Sequence, residues 1–279
     1  MKHVKVTRNL TYVCDLVVKT SNISPNEKEN IKIIEKMKFE GLSEISLIFE
    51  KEFDTKILIC IQENFLDVVF AGLKTFDLTN EINLVKIETT RISILKKMLK
   101  IFEGNKFHKG ADFAFCLVKD ELLFKVRELL LTKQDLNGIR ISGHSVGGVM
   151  ATRAALNIGK LVKKINSKFS ISLVTMGNPP MANDKFIENL TKIIDNGVIL
   201  ANNNDIYPNI NAQTIGYQAI SNKTTLYDLN SDDEIDAVDL DGINTIEKLK
   251  STLKEWNIQD STNAHQLESY CKRLKQRPN

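Results

Sequence analysis

The sequence has no run of about 18 consecutive apolar residues, so we expect no helix that spans a membrane. The first ten residues carry charged side chains and lack the continuous apolar stretch of a secretory signal peptide. These two absences predict an intracellular, cytoplasmic protein. Export by a route without such a signal stays open.

Cysteine is also scarce. The chain has four cysteines in 279 residues, and they are far apart: Cys14, Cys60, Cys116 and Cys271. Most of them have apolar neighbours, which is typical of buried free thiols in a reducing compartment. We therefore expect neither a disulfide framework nor a zinc site.

Net charge is only +3, and the lysines are scattered without interleaved aromatic residues, so we expect no nucleic-acid partner. Hydrophobic residues make up 42% of the chain and charged residues 26%, as in an ordinary soluble domain. Strand-like runs alternate with helical patterns, which predicts an α/β fold with a mostly parallel central sheet and helices on both faces. Residues 1–279 are predicted to form one domain that begins with a mainly helical segment, 1–50.

The most informative motif is a Gly-x-Ser-x-Gly turn at 143–147. A short apolar strand enters it and a helix rich in small residues leaves it. A strand-to-helix turn this sharp strains the central residue, raises the Ser145 hydroxyl above the sheet and places it at a helix N-terminus. Free backbone N–H groups there can stabilise an oxyanion. The motif predicts that Ser145 is a nucleophile, although an ordinary strand–helix connection with an incidental serine is the alternative.

A nucleophilic serine needs a base, and histidine suits that role near neutral pH. The chain has four histidines. His3 lies in the N-terminal arm, His108 lies at a helix start, and the side chain of His144 should point away from the Ser145 hydroxyl. His265 is the one histidine that follows Ser145, in the usual order of this type of fold, so we predict that it is the base. A surface histidine at a helix N-terminus is the alternative.

The acid should lie between Ser145 and His265, on a loop after a sheet strand. Asp205 follows the strand-like run 198–201 and is the first choice, with Asp228 as the second. Asp184 and Asp195 flank a helix instead. The acidic cluster at 232–241 is better interpreted as a solvated loop.

Four blocks in this order resemble the class 3 lipase family of α/β-hydrolases, which includes the secreted fungal triacylglycerol lipases and intracellular relatives. They are Gly-His-Ser-Val-Gly-Gly at 143–148, Thr-Met-Gly-Asn-Pro-Pro-Met-Ala-Asn at 175–183, Asn-Asp-Ile-Tyr-Pro at 204–208 and Ala-His-Gln-Leu-Glu-Ser-Tyr at 264–270. His108-Lys109-Gly110 also matches the family's His-x-Gly. The resemblance implies the α/β-hydrolase fold and a catalytic triad of Ser145, Asp205 and His265.

The resemblance also implies an oxyanion hole made by the backbone N–H groups of Leu73 and Val146. The family usually has Arg-Gly-Thr after an apolar strand, whereas this chain has Ala71-Gly72-Leu73. A hydroxyl donor is therefore missing, and one lost oxyanion donor can lower the rate by roughly two to three orders of magnitude. The family's lid position corresponds to 92–102, which is apolar on one face and lysine-rich on the other. That segment is either a lid that contacts a lipid surface or an ordinary surface helix.

The sequence as a whole predicts a lipase-type serine ester hydrolase that acts on glycerolipids, with no metal and no organic cofactor. Two alternatives stay open: a phospholipase or lipid acyltransferase, and an inactive hydrolase-fold module that binds lipid or protein.

Overall fold

A computed structural model of the protein describes residues 2–72, 109–178, 182, 184–202, 205, 208, 224–228, 234–235 and 263–276. Its centre is an eight-stranded sheet in which the strands follow one another in chain order. The strands are β1 (Ser43–Glu50), β2 (Thr55–Gln62), β3 (Phe65–Phe70), β4 (Gly138–His144), β5 (Ser170–Met176), β6 (Asn196–Ala201), β7 (Thr224–Asp228) and β8 (Glu234–Ile235).

Strands β3 to β7 are parallel, whereas β1, β2 and β8 pair antiparallel at the two edges. Because the carboxyl ends of parallel strands meet at one edge, the turns after β3, β4, β5 and β6 lie close together. That edge holds Gly72, Ser145, Gly177 and Asn202, each of which follows one of these strands.

Helices cover both faces of the sheet, in agreement with the predicted α/β-hydrolase fold. They are α1 (Lys2–Ser21), α2 (Glu27–Phe39), α3 (Lys109–Thr132), α4 (Val146–Ile165), α5 (Asp184–Thr191) and α6 (Leu267–Gln276). One apolar core lies between the sheet and α3, α4 and α5, and a second lies between the sheet and α1, α2 and α6. Strand β2 shows why both cores form: Ile57 and Ile59 point into the first, and Leu58 and Cys60 into the second.

The predicted helical segment 1–50 contains a strand as well as two helices. Helix α2 ends at Phe39, and the chain then turns at Gly41, whose φ is 90°. Strand β1 follows and pairs with β2 through a hairpin. The helical pattern therefore ends before β1, where the sequence analysis placed no boundary. The proposed single domain, 1–279, stays a prediction.

The expectation of four free thiols was wrong. Cys14 and Cys271 form a disulfide, whereas Cys60 and Cys116 are free. The physical reason is tertiary: α1 and α6 pack side by side in the second core and bring the two Cα atoms to 5.8 Å. The cysteine-based argument for a reducing compartment therefore does not hold.

Among the described residues, no helix is both long and apolar enough to cross a membrane. The same part of the chain contains no cluster of His, Cys, Asp and Glu side chains that could hold a metal ion.

Candidate active site

The turn between β4 and α4 has the strained geometry that the motif predicts. Ser145 has φ 54° and ψ −128°, a conformation that L-residues rarely adopt. Its N–H donates to the carbonyl of Met176 at 2.9 Å. Its side chain makes no capping hydrogen bond to α4, although it occupies the N-cap position. The hydroxyl is therefore available for chemistry.

Close backbone packing explains the two glycines of the turn. A Cβ atom on Gly143 would overlap the backbone of Gly147, and one on Gly147 would overlap the backbone of Ala71. A side chain at either position would therefore collide with neighbouring backbone. The same packing brings the end of β3 against the start of α4.

The structure brings together the three residues predicted to form the triad. Nε2 of His265 lies 2.9 Å from Oγ of Ser145, and Nδ1 of His265 lies 2.8 Å from Oδ2 of Asp205. A carboxylate oxygen only accepts, so Nδ1–H donates to Asp205 and Nε2 is left to accept the proton of Ser145. Asp205 is fully buried and His265 is 5% exposed. Consecutive hydrogen bonds thus join a serine hydroxyl, an imidazole and a carboxylate, in the order that the predicted triad requires.

A tyrosine completes the surroundings of the acid. The hydroxyl of Tyr270 donates to Oδ2 of Asp205 at 2.6 Å and accepts the N–H of Asn202 at 3.3 Å. Burial, and then the Asp205 carboxylate, raise the pKa of the Tyr270 phenol well above its usual value. The phenol therefore stays protonated and remains a donor to the acid.

Two side chains at the carboxyl edge of the sheet hold the backbone around His265. Nδ2 of Asn202 donates to the carbonyl of Ala264 at 2.6 Å. Nε2–H of His144 donates to the carbonyl of His265 itself at 2.8 Å. Burial, and then the neighbouring His265, lower the pKa of His144 to about 3, so its ring is neutral near pH 7. As expected, the His144 side chain points into the structure.

Gly177 lies directly beneath the triad. Its φ is 59°, and a Cβ atom there would approach Oδ2 of Asp205 to 2.9 Å, the Tyr270 hydroxyl to 3.0 Å and the His265 ring to 3.3 Å. No other residue type fits both the conformation and the space. The glycine therefore allows the acid, the phenol and the base to meet.

The oxyanion side of the site is partly described. Val146 is the first residue of α4, so its N–H has no acceptor within the helix and lies at the positive end of the helix dipole. Gly72, at the end of β3, is close to the nucleophile, since a Cβ atom built on it would lie 3.6 Å from Cβ of Ser145. Leu73, the other predicted donor, lies outside the described residues.

Most of the remaining candidate residues lie partly or wholly outside the described part of the chain. The backbone of Asp228 ends β7, and its side chain lies outside the described part of the chain, as do His108 and the lid segment 92–102. His3 lies in α1. Tyr270, Asn202 and Gly177 were not predicted to take part in the site. Their only signal was that Tyr270 and Gly177 belong to two of the family-like blocks.

Comparison with known proteins agrees with the observed fold. The chain is similar to the Rhizomucor miehei triacylglyceride lipase, with a TM-score of 0.59 and 18% identity over 81% of both chains. It is similar to the lipase of Rhizopus microsporus var. chinensis, with a TM-score of 0.59 and 17% identity over 82% of this chain and 76% of that one. These likenesses show the α/β-hydrolase fold of the fungal lipases.

No curated protein sequence matches the chain. The model of the family called Lipase (class 3), however, matches residues 68–215, more than half of the 279 residues. This range includes the nucleophile turn and Asp205. The chain is therefore a lipase-type hydrolase that belongs to the class 3 lipase family.

Proposed function

We propose that the protein is a serine ester hydrolase that cleaves acyl esters of glycerolipids through an acyl-enzyme on Ser145. The observation that carries this proposal is the continuous hydrogen-bonded series from Oγ of Ser145 through His265 to Asp205. In water a serine hydroxyl is a weak nucleophile, and this arrangement is the established way to activate one.

In the proposed mechanism, Oγ of Ser145 attacks the ester carbonyl while Nε2 of His265 takes the hydroxyl proton. The proton then passes from His265 to the leaving alcohol, and an acyl ester on Ser145 remains. Water, deprotonated by the same nitrogen, attacks this ester, and the fatty acid leaves as His265 returns the proton to Oγ of Ser145. Asp205 keeps Nδ1 protonated and stabilises the positive charge that His265 carries between the steps.

Charge develops on the carbonyl oxygen during both steps, and a hydrogen-bond donor must face it. The N–H of Val146 suits this role because it opens α4 beside Ser145, whereas the N–H of Ser145 is bonded to Met176. Leu73 follows Gly72, which lies against Ser145, and its backbone N–H is proposed as the second donor. Neither donor depends on a particular side chain.

Glycerolipid esters are proposed as substrates because the family acts on lipids and the structural neighbours are called triacylglyceride lipase and lipase. The sequence of segment 92–102 predicts an apolar face and a lysine-rich face. This segment is proposed to contact the lipid surface when substrate binds.

The test is hydrolysis of p-nitrophenyl acetate, p-nitrophenyl palmitate and an emulsified triacylglycerol by the purified protein. The wild type should hydrolyse them, and Ser145→Ala should lower kcat by roughly 10⁶-fold. Ser142→Ala is the matched control, since it removes a buried hydroxyl from the same strand and should retain activity. Ester hydrolysis that survives Ser145→Ala would contradict the mechanism.

Substrate class is decided in the same assay. Faster cleavage of phospholipid than of triacylglycerol, or transfer of the acyl group to an alcohol in preference to water, would favour the phospholipase or acyltransferase alternative. Folded wild-type protein that hydrolyses none of these esters would overturn the proposed activity in favour of a binding module.

A further inference from the structure

The disulfide lies next to the active site in sequence and in space. It joins Cys14 of α1 to Cys271 of α6 across a sequence separation of 257 residues. Cys271 directly follows Tyr270, the donor to Asp205, and α6 begins two residues after His265. The covalent bond therefore connects α1 to the short segment that carries the base.

Helix α1 is firmly attached to the sheet. The hydroxyl of Tyr12 donates to Oδ2 of Asp67 on β3 at 3.0 Å. Asp67 is buried and also accepts two hydrogen bonds from Arg140 on β4, at 2.7 and 2.6 Å. The Arg140 guanidinium also lies over the rings of Tyr12 and Phe65, 5.0 and 4.9 Å from their centroids. These contacts hold α1 in place on the sheet, so the disulfide attaches Cys271 to a fixed part of the fold.

Helix α6 is joined to the carboxyl edge of the sheet by the hydrogen bonds of Tyr270, and it also packs against α1. Its apolar side chains pack in the second core with those of α1. The ion pair between Lys275 and Asp15, at 3.0 Å, is more than 40% exposed on both sides and contributes little. Both disulfide sulfurs, in contrast, belong to buried residues. The disulfide is thus the strongest connection between the two helices.

We propose that the Cys14–Cys271 disulfide is a positioning element of the active site, and that the chain reaches its full catalytic rate only after this bond has formed. The proposal rests on the proposed function. The disulfide holds α6 at the distance from which Tyr270 reaches Asp205 and His265 reaches Ser145. Without it, α6 shifts along α1, and the hydrogen-bonded series loses its alignment.

Formation of the disulfide requires an oxidant, and its cleavage requires a reductant. In forming the bond, the two thiols give up two protons and two electrons to a disulfide-bearing oxidant, which becomes a dithiol. In breaking it, an added dithiol supplies two electrons and two protons and closes to its own cyclic disulfide. An oxidising compartment therefore yields the active chain, in contrast to the cytoplasmic location expected from the sequence.

The experiment compares oxidised wild type, wild type refolded and kept in dithiothreitol, and Cys14→Ala/Cys271→Ala. Cys116→Ala is the matched control, because it removes a free, exposed thiol. Circular dichroism, at a temperature where all forms are folded, checks that the proteins are comparable. The readouts are kcat and KM for a soluble short-chain ester, and hydrogen exchange of the backbone amides of 263–276.

We expect kcat to fall about tenfold or more in the reduced and double-variant proteins, with KM nearly unchanged, because positioning acts on the chemical step. Amides of 263–276 should exchange faster in these two proteins than in oxidised wild type and Cys116→Ala. Dithiothreitol should slow the wild type and leave the double variant unaffected.

Equal kcat and equal protection of 263–276 in the oxidised and double-variant proteins would overturn the proposal. If oxidised wild type hydrolyses no ester, the proposed function fails instead. Hydrogen exchange then decides by itself whether the disulfide positions the histidine segment, with unchanged protection as the contradicting result.

Discussion

The Tyr270 hydroxyl and the Nδ1–H of His265 both donate to the same oxygen of Asp205, at 2.6 and 2.8 Å. Asp205 is fully buried, and a buried polar group costs free energy unless it is hydrogen-bonded, so these two donors stabilise its position. His265 is thus oriented by the Asp205 carboxylate, and this carboxylate in turn accepts a hydrogen bond from Tyr270 of α6.

Replacing Tyr270 by Phe removes one of these donors and also the hydroxyl that accepts the N–H of Asn202. We expect the free energy of unfolding to fall by about 1–3 kcal/mol. We expect kcat to fall about tenfold, which corresponds to about 1.4 kcal/mol of transition-state stabilisation. Urea denaturation and ester hydrolysis measure the two effects.

Tyr12→Phe is the matched control, because it also removes a phenol from a buried carboxylate, Asp67, but away from the triad. It should lower stability and leave the activity per folded molecule unchanged. Equal losses of activity in both variants would mean that Tyr270 acts through stability alone.

A methyl group added at Gly177 should displace Asp205 and His265 from their hydrogen-bonded positions. Gly177→Ala places Cβ against Asp205, Tyr270 and His265, and a shift of about 1 Å in such a site can lower kcat about 100-fold. Gly41→Ala is its control, since Gly41 has φ 90° and nothing within 4 Å of an added Cβ. Both variants carry a backbone penalty of roughly 1–2 kcal/mol, but only Gly177→Ala should lose activity. Full activity in Gly177→Ala would show that the site tolerates the displacement.

His144 should make the fold sensitive to acid. Its folded pKa is lowered to about 3, whereas an unfolded histidine has a pKa of about 6.5. Between these values the unfolded chain binds a proton that the folded chain does not. The contribution of His144 to the free energy of unfolding is therefore complete above about pH 6.5. It is lost as the pH falls below this value, by at most about 1.4 kcal/mol per pH unit.

His144→Gln removes the titration and keeps an amide that can donate to the His265 carbonyl. Urea denaturation between about pH 4 and 7 should show a shallower loss of stability in this variant than in the wild type. Parallel curves for the two proteins would contradict the role given to His144.

A substitution at Leu73 should increase the rate of ester hydrolysis. Leu73→Thr restores the hydroxyl-bearing residue type that the family usually has at this position, and an added oxyanion donor should raise kcat by about 10- to 100-fold. Leu73→Val, which has nearly the same shape as Thr but no hydroxyl, is the control. Steady-state hydrolysis of a soluble ester compares them, and equal rates would mean that the backbone donors suffice.

Local sequence patterns predicted the three side chains that the structure brings together at the candidate site. The strained turn is encoded largely within a few residues, because Gly143 is required by the close approach of the Gly147 backbone in the same turn. His265 could be selected because so few histidines exist, and Asp205 because it follows a strand at the edge where loops meet. The helix-period and strand patterns likewise predicted the layered sheet.

The supporting groups could not be predicted in this way, because they depend on contacts between distant parts of the chain. Tyr270 is 65 residues from Asp205, and Cys14 is 257 residues from Cys271. No spacing rule indicates that α1 and α6 lie side by side. Strand β1 was missed for a related reason, since its identity depends on pairing with β2.

The most direct test of the account is the site of covalent labelling by a fluorophosphonate probe, located by peptide mass spectrometry. The account predicts one modified residue, Ser145, with labelling abolished in Ser145→Ala and strongly slowed in His265→Ala. Labelling of a different residue, or no labelling of the folded, oxidised protein, would contradict it.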